Sequence, residues 1–92
     1  MHLGIYRFAG DPQTLLAAYD RLMAGMPPGS PPLAHLCVSE PDGITIYDTC
    51  PSEEAFRGFS SSDIFHQALA AAGLPEPQVT GVPVHNARIV SD

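Results

Sequence analysis

The feature that most constrains the fold is the turn Glu-Pro-Asp-Gly at residues 40–43, which separates two runs of strand-forming residues, 33–39 and 44–50. Proline and aspartate suit the middle of a type I turn, and glycine suits the left-handed position that follows it. The pattern predicts a β-hairpin with a three-residue loop. In this register Glu40 pairs with Ile44, and all other pairs along the two strands follow.

The predicted register assigns side chains to the two faces of the sheet, because successive residues of a strand point to opposite sides. One face, packed against helices, is predicted to carry Ala34, Leu36, Val38, Ile44 and Ile46. The other face is predicted to be bare of helices and to carry His2, Gly4, Tyr6, Phe8, His35, Cys37, Ser39, Thr45, Tyr47 and Thr49. A bare sheet face without charged residues suggests a semi-polar cavity or a buried interface.

Helix signals lie on both sides of the hairpin. Asp11-Pro12 predicts the start of an amphipathic helix over 12–25, and the proline-rich segment 27–32 predicts a polyproline-like loop after it. A second helix is predicted to start at residues 51–54, to break at 60–63 and to end at Gly73. A last strand, interrupted at a proline, is predicted within 78–90.

The resulting order is β-α-β-β-α-β in one domain over residues 1–92. Right-handed crossovers then give a ferredoxin-like α+β fold, a four-stranded antiparallel sheet with two helices on one face. A chain of this length buries a limited core, so it gains stability from association. A homodimer joined through the bare sheet face or through strand edges is therefore expected.

Composition excludes several classes of function. The net charge is −6, with four Arg and no Lys, which argues against binding nucleic acid or an anionic membrane surface. Neither a signal peptide nor a membrane span is visible, so a cytoplasmic protein is expected. The two cysteines and four histidines do not form a zinc pattern, and no glycine-rich phosphate loop is present. No metal and no cofactor are expected.

The candidate catalytic residues are His35, His85 and Tyr47, because imidazole exchanges protons near neutral pH and a phenol can donate to a developing oxyanion. The candidate ligand-binding residues are Tyr6, Phe8, Cys37, Thr45 and Thr49. Cys37 is also a possible nucleophile if a histidine lowers its pKa, although a small core residue is the commoner role. Two residues keep open roles: the predicted faces place Asp48 under the helices without a partner, and His66 on the flank of its helix.

The element order, together with residues 56–69 (FRGFSSSDIFHQAL), resembles the dimeric α+β barrel superfamily, whose best-known branch is the antibiotic biosynthesis monooxygenase-like proteins. The resemblance implies that two protomers join their sheets into a barrel and that each encloses a pocket. It also implies a small cofactor-independent enzyme acting on an aromatic or polyketide-like molecule, by oxygenation or by proton-transfer cyclisation or isomerisation. Non-catalytic binding of a small hydrophobic ligand and a purely structural dimerisation module are the alternatives.

Overall fold

The computed structural model describes residues 1–26 and 32–90. Its strands are β1 (His2–Ala9), β2 (His35–Glu40), β3 (Gly43–Cys50) and β4 (Gln78–Pro83). Its helices are α1 (Pro12–Ala24), α2 (Glu53–Ser60) and α3 (Asp63–Ala72). The strands form one antiparallel sheet in the order β2-β3-β1-β4. The predicted ferredoxin-like α+β fold is confirmed, with the second predicted helix divided into α2 and α3.

Helix boundaries follow the signals in the sequence. The Asp11 side chain accepts a hydrogen bond from the Thr14 backbone N–H and caps α1. Ser52 caps α2 and Ser62 caps α3 in the same way. Gly73 ends α3 with a φ of 91°, in the left-handed region that favours glycine. The predicted break at 60–63 is therefore the place where α2 ends and α3 begins with its own N-cap.

The predicted hairpin register is wrong by one residue. Glu40 pairs with Gly43 instead of Ile44, so the connection contains two residues instead of three. Gly43 has no positive φ, and the need for glycine there has another origin. A Cβ atom at position 43 would collide with the backbone carbonyl of Phe8 on the neighbouring strand. Close approach of β1 to β3 thus selects the glycine that the sequence pattern assigns to the loop.

The one-residue difference exchanges the faces of β2 relative to β3. Cys37 pairs with Ile46 and lies on the helix-packed side, whereas Tyr47 pairs with Leu36 on the open side. The prediction that Cys37 and Tyr47 share a face is therefore wrong. The predicted face of β1 is wrong as well, since its buried residues are His2, Gly4, Tyr6 and Phe8.

The open face of the sheet consequently differs from the predicted charge-free set. It carries Leu3, Ile5 and Arg7 from β1, Leu36, Val38 and Glu40 from β2, Thr45, Tyr47 and Thr49 from β3, and Gln78, Thr80 and Val82 from β4. Apolar side chains dominate one part of this face, and the charged Arg7 and Glu40 lie at the hairpin end.

The core lies between the sheet and the helices. Tyr6 and Phe8 of β1 are each 2% exposed, and they pack with Ile44 and Ile46 of β3 among the core residues. Burying two aromatic rings removes more apolar surface from water than burying the alternate residues of β1 would, which accounts for the observed face.

Two further predictions concern the last strand and the proline-rich loop. The predicted last strand ends at Pro83, and residues 84–90 form no strand. Most of the predicted polyproline-like loop, residues 27–31, lies outside the described residues. Within the described ranges, no helix has the length and apolar character needed to cross a bilayer.

Candidate functional site

The observed register places His35 directly opposite Asp48 on neighbouring strands. Nδ1 of His35 lies 3.1 Å from Oδ1 of Asp48, and both side chains are partly buried. Asp48, for which the predicted register offered no partner on the helix-packed face, is thus hydrogen-bonded to His35. A carboxylate in this position would be costly without a hydrogen-bond donor, and the imidazole supplies it.

Tyr19 of α1 extends this pair. Its hydroxyl lies 2.6 Å from Nε2 of His35, and the two rings stack with centroids 6.0 Å apart. Burial, followed by the nearby Cys37, Asp20 and Asp48, raises the pKa of the Tyr19 phenol, so it stays protonated at neutral pH. Tyr19, His35 and Asp48 form a continuous hydrogen-bonded chain, which we term the Tyr-His-Asp relay.

The relay has a preferred direction when the imidazole is neutral. An ionised carboxylate only accepts hydrogen bonds, so Nδ1 of His35 carries the proton that Asp48 accepts. Nε2 then presents a lone pair to the Tyr19 O–H, which donates to it. Both donors therefore point toward Asp48, and one carboxylate oxygen remains without a partner in the relay.

Asp48 also lines a pocket, which we term the Asp48 pocket. The pocket has a volume of about 440 Å³, large enough for a small bicyclic molecule. It opens between the start of α2, the end of β3 and the segment before β2, and its lining is mainly apolar: Met1, Pro32, Leu33, Asp48, Thr49, Cys50, Pro51, Ala55 and Phe59. Asp48 is the charged side chain of this lining, so the relay ends at an apolar cavity.

The two thiols are poorly suited to nucleophilic chemistry. Burial and then the Asp20 charge raise the pKa of Cys37, and burial and then Asp48 raise that of Cys50. A raised pKa keeps a thiol in its protonated, weakly nucleophilic form. Cys37 packs beside Tyr19 against the core, whereas Cys50 lies in the wall of the Asp48 pocket.

The other predicted site residues are distributed over the molecule. His85 is exposed in the segment after β4, at the opposite edge of the sheet from His35. Phe8 and Thr45 line a second pocket of about 510 Å³ near the hairpin, together with charged residues including Arg7 and Glu40. Tyr6 is buried under α2 and α3. The roles given to His85 and Tyr47 stay predictions, but the structure does not bring either to the relay.

His66, whose role was open, connects three segments. Its Nδ1 lies 2.8 Å from the Glu76 carboxylate, and its Nε2 lies 2.9 Å from the Ser60 carbonyl oxygen. These contacts tie α3 to the end of α2 and to the segment before β4. In residues 1–26 and 32–90, no three His, Cys, Asp or Glu side chains are grouped to hold a metal ion.

Sequence reasoning found His35 but missed its two partners. Tyr19 recurs with leucine and methionine at helical spacing along α1, a pattern that predicts core packing and gives no sign of a contact with His35. Asp48 carried a usable signal, because a carboxylate on a helix-packed face requires a donor. A register shifted by one residue would have supplied His35 as that donor.

Comparison with known proteins adds evidence on the fold. No protein-family model and no curated protein sequence matches the chain. Among solved structures, one described as a putative antibiotic biosynthesis monooxygenase from Deinococcus radiodurans matches with a TM-score of 0.65 and 12% identity, covering 100% of both chains. Another described in the same words, from Chloroflexus aurantiacus J-10-fl, matches with a TM-score of 0.57 and 20% identity, covering 97% of this chain and 98% of the other. The chain thus shares the fold of these two proteins, and the predicted resemblance to antibiotic biosynthesis monooxygenase-like proteins is confirmed as a likeness of fold.

Proposed function

We propose that the protein is a small enzyme that uses Asp48 as a base toward a flat, largely apolar molecule bound in the Asp48 pocket. The observation that carries the proposal is the Tyr-His-Asp relay, which ends at the charged side chain of an otherwise mainly apolar cavity. A carboxylate held by a donor on one oxygen can accept a proton from a bound molecule on the other. The likeness to proteins described as putative monooxygenases agrees with a small-molecule enzyme.

The mechanism assigns each relay residue a separate task. A substrate hydroxyl, or a C–H bond next to a carbonyl, lies against Asp48, and the carboxylate takes its proton. His35 is a positioning residue, since its N–H fixes the carboxylate and stabilises its charge. Tyr19 positions His35 by donating to Nε2, which fixes the tautomer that donates to Asp48. The product of this step is a phenolate or an enolate in an apolar pocket.

Two reaction types follow from that anion. In a cyclisation or isomerisation, Asp48 returns the proton to a different atom of the substrate. In an oxygenation, the anion must be an electron-rich phenolate that reduces O₂ itself, and conversion of a phenol to a quinone consumes one O₂ and releases one water. Neither route requires a bound cofactor.

The test is proton exchange, which does not depend on knowing the final product. We expect the protein to accelerate deuterium incorporation at C1 of 2-tetralone in D₂O, followed by NMR. Asp48→Asn should lower the enzyme-dependent rate by about 10²–10⁴-fold, the usual contribution of a positioned base. Asp42→Asn, which changes an aspartate of the hairpin turn, is the matched control and should retain the rate.

Two outcomes would count against the proposal. Binding of 2-tetralone without acceleration of exchange would indicate a ligand-binding protein instead of an enzyme. Equal rates for Asp48→Asn and the unchanged protein would remove Asp48 from the reaction.

We further propose that a second copy of the chain covers the apolar part of the open sheet face, as the resemblance implies. Leu36 is 55% exposed there, and Val38 and Val82 of the same face are also exposed. Burial of such side chains contributes about 25 cal/mol per Å² of apolar area, which a chain of this size needs. Leu36→Asp should shift sedimentation from dimer to monomer, whereas Ile64→Asp, at an exposed position on α3, should not. A monomeric unchanged protein at micromolar concentration would contradict the dimer.

A further inference from the structure

The carboxylate of Asp48 is accessible from the Asp48 pocket. Its side chain is 21% exposed, and the residue belongs to the lining of the pocket. Oδ1 accepts the hydrogen bond from Nδ1 of His35, and no group in residues 1–26 and 32–90 donates to Oδ2. An ionised carboxylate can accept about four hydrogen bonds, so Asp48 keeps acceptor capacity for a bound molecule.

No arginine or lysine balances this charge in the lining of the pocket, as far as the structure describes the chain. The chain has four arginines and no lysine, and residues 27–31 carry no charged side chain in the sequence. Arg21 and Arg57 are bonded to other groups of the chain. Arg7 lines the second pocket near the hairpin, and Arg88 is exposed in the segment after β4. An anionic ligand would therefore meet a carboxylate without a compensating cation.

The start of α2 borders the same pocket, and the N-terminus of a helix carries a partial positive charge. Ser52 caps this helix end, and Glu53 and Glu54 occupy its first turn. Two carboxylates in the first turn offset the positive end of the dipole. The net charge of −6 favours cations over anions at longer range. The surroundings of the pocket therefore add negative potential to that of Asp48.

The remainder of the lining suits the apolar body of a ligand. Phe59 is 38% exposed and Leu33 is 54% exposed, so both side chains have apolar surface that a ligand can cover. The volume of about 440 Å³ accommodates two fused aromatic rings. The pocket thus combines an apolar wall with one unbalanced carboxylate.

We propose that the Asp48 pocket binds protonated aromatic amines in preference to neutral or anionic molecules of the same shape. The ammonium group donates to Asp48, and the aromatic rings lie against Phe59 and Leu33. The inference rests on the proposed function for the pocket and its ionised carboxylate, but it does not require catalysis. It adds a ligand class, because an amine held by Asp48 occupies the base and blocks proton transfer from a substrate.

The experiment uses three probes with one naphthalene body and different charges. They are 2-naphthylmethylamine, which is protonated at pH 7, neutral 2-naphthalenemethanol, and anionic 2-naphthoate. Calorimetric titration should give an affinity for the amine about five- to tenfold higher than for the alcohol, because a charge-assisted hydrogen bond is roughly twice as strong as a neutral one. The carboxylate should bind more weakly than the alcohol.

Two matched variants locate the site of the amine. Asp48→Asn should reduce the preference for the amine over the alcohol to within about twofold, since the amide carries no charge. Asp42→Asn should retain the full preference. This control matters because Asp42 lines the second pocket together with Glu40 and Glu76, where a cation could bind instead. A preference that survives Asp48→Asn, or that is lost in Asp42→Asn, would overturn the inference.

Salt dependence gives a readout on the unchanged protein, so the test does not depend on the folding of a variant. Raising the ionic strength from about 0.01 M to about 1 M shortens the screening length from about 30 Å to about 3 Å. Binding of the amine should weaken, and binding of the alcohol should not. Equal affinities for amine and alcohol, an amine affinity that salt leaves unchanged, or binding of none of the three probes would each contradict the proposed selectivity.

Proton exchange of 2-tetralone separates this inference from the proposed function. If the protein accelerates exchange, the amine should inhibit it competitively. Exchange without a preference for the amine would leave the proposed function standing and overturn the inference. A preference for the amine that depends on Asp48, without any exchange, would support the inference and remove the proposed catalysis.

Discussion

Replacing Gly81 by alanine tests how tightly α2 packs on the sheet. The ring of Phe56 lies over Gly4 and Gly81, which pair across β1 and β4. A Cβ atom at position 81 would press on Cε2 of Phe56 and lie 2.8 Å from both its Cδ2 and Nε2 of His2. Carbon atoms prefer separations of about 3.5–4.0 Å, so the ring must move by roughly 1 Å.

The expected cost follows from that displacement. Overpacking of this kind costs about 1–3 kcal/mol, and alanine recovers roughly 0.5–1 kcal/mol over glycine in a strand. The net destabilisation is therefore about 0–2.5 kcal/mol, with a central value a little above 1 kcal/mol, which lowers the melting temperature of a chain this size by roughly 5–10 °C.

Gly58→Ala is the matched control, because it is the same chemical change in a different environment. Nothing lies within 4 Å of a Cβ atom at position 58 in the middle of α2, so alanine should stabilise the helix by up to about 1 kcal/mol. Both variants are compared by thermal circular dichroism at one protein concentration, since association shifts the melting temperature. If the melting temperature of Gly81→Ala equals or exceeds that of the unchanged protein, Phe56 is not confined as described.

A double variant tests the same contact. The loss of unfolding free energy in Phe56→Leu combined with Gly81→Ala should be smaller than the sum of the losses in the two single variants.

Three further predictions concern helix caps and titration. Ser52→Ala should destabilise the protein by about 1 kcal/mol in urea denaturation by removing the cap of α2, and a change below about 0.3 kcal/mol would contradict that role. Hydrogen bonds from the backbone N–H and then the side chain of Thr14 lower the pKa of Asp11, so its stabilising effect is present above the unfolded value of ~3.9 and is lost as the pH falls. Urea midpoints from pH 7 to 2.5 should therefore fall less steeply for Asp11→Ala than for the unchanged protein. Burial raises the pKa of Cys37 and Tyr19, so the folded chain keeps protons that the unfolded chain loses, and stability should decline as the pH rises through ~8.5 and ~10. A urea midpoint that stays constant from pH 7 to 10.5 would refute this last prediction.

Helix ends were predictable because each depends on a few neighbouring residues. Asp11 followed by proline, the serine run at 60–62 and Gly73 each act within about one helical turn, and the structure uses all three signals. The confirmed element order follows from these local signals and from the hairpin. The fold class was therefore accessible from the sequence.

The faces of the strands were harder to predict than the helix ends. Side chains alternate along a strand, so the face of each residue in β2 relative to β3 depends on how many residues the turn contains. Pro41 and Asp42 are compatible with a two-residue or a three-residue connection, and Gly43 is explained by the approach of Phe8 from β1, a contact distant in sequence. In the predicted register Asp48 pairs with Leu36 instead of with His35, so that register offered no indication of the Tyr-His-Asp relay. The pair His35 and Asp48 was thus lost through one local ambiguity, while Tyr19 required knowledge of how α1 crosses β2.

The length of the β2–β3 connection therefore contributes to the proposed chemistry, although the turn lies at the far end of the hairpin from Asp48. β2 is an edge strand, so a one-residue insertion at Pro41-Asp42 could slide it along β3 without breaking the pairing of β1 with β3 or β4. Such an insertion would return Leu36 to Asp48 and separate the imidazole from the carboxylate, with every relay residue still present. In evolution, an insertion in this exposed turn would act as a loss-of-function change. A sequence comparison that checks only for the presence of Tyr19, His35 and Asp48 would not detect this loss of function.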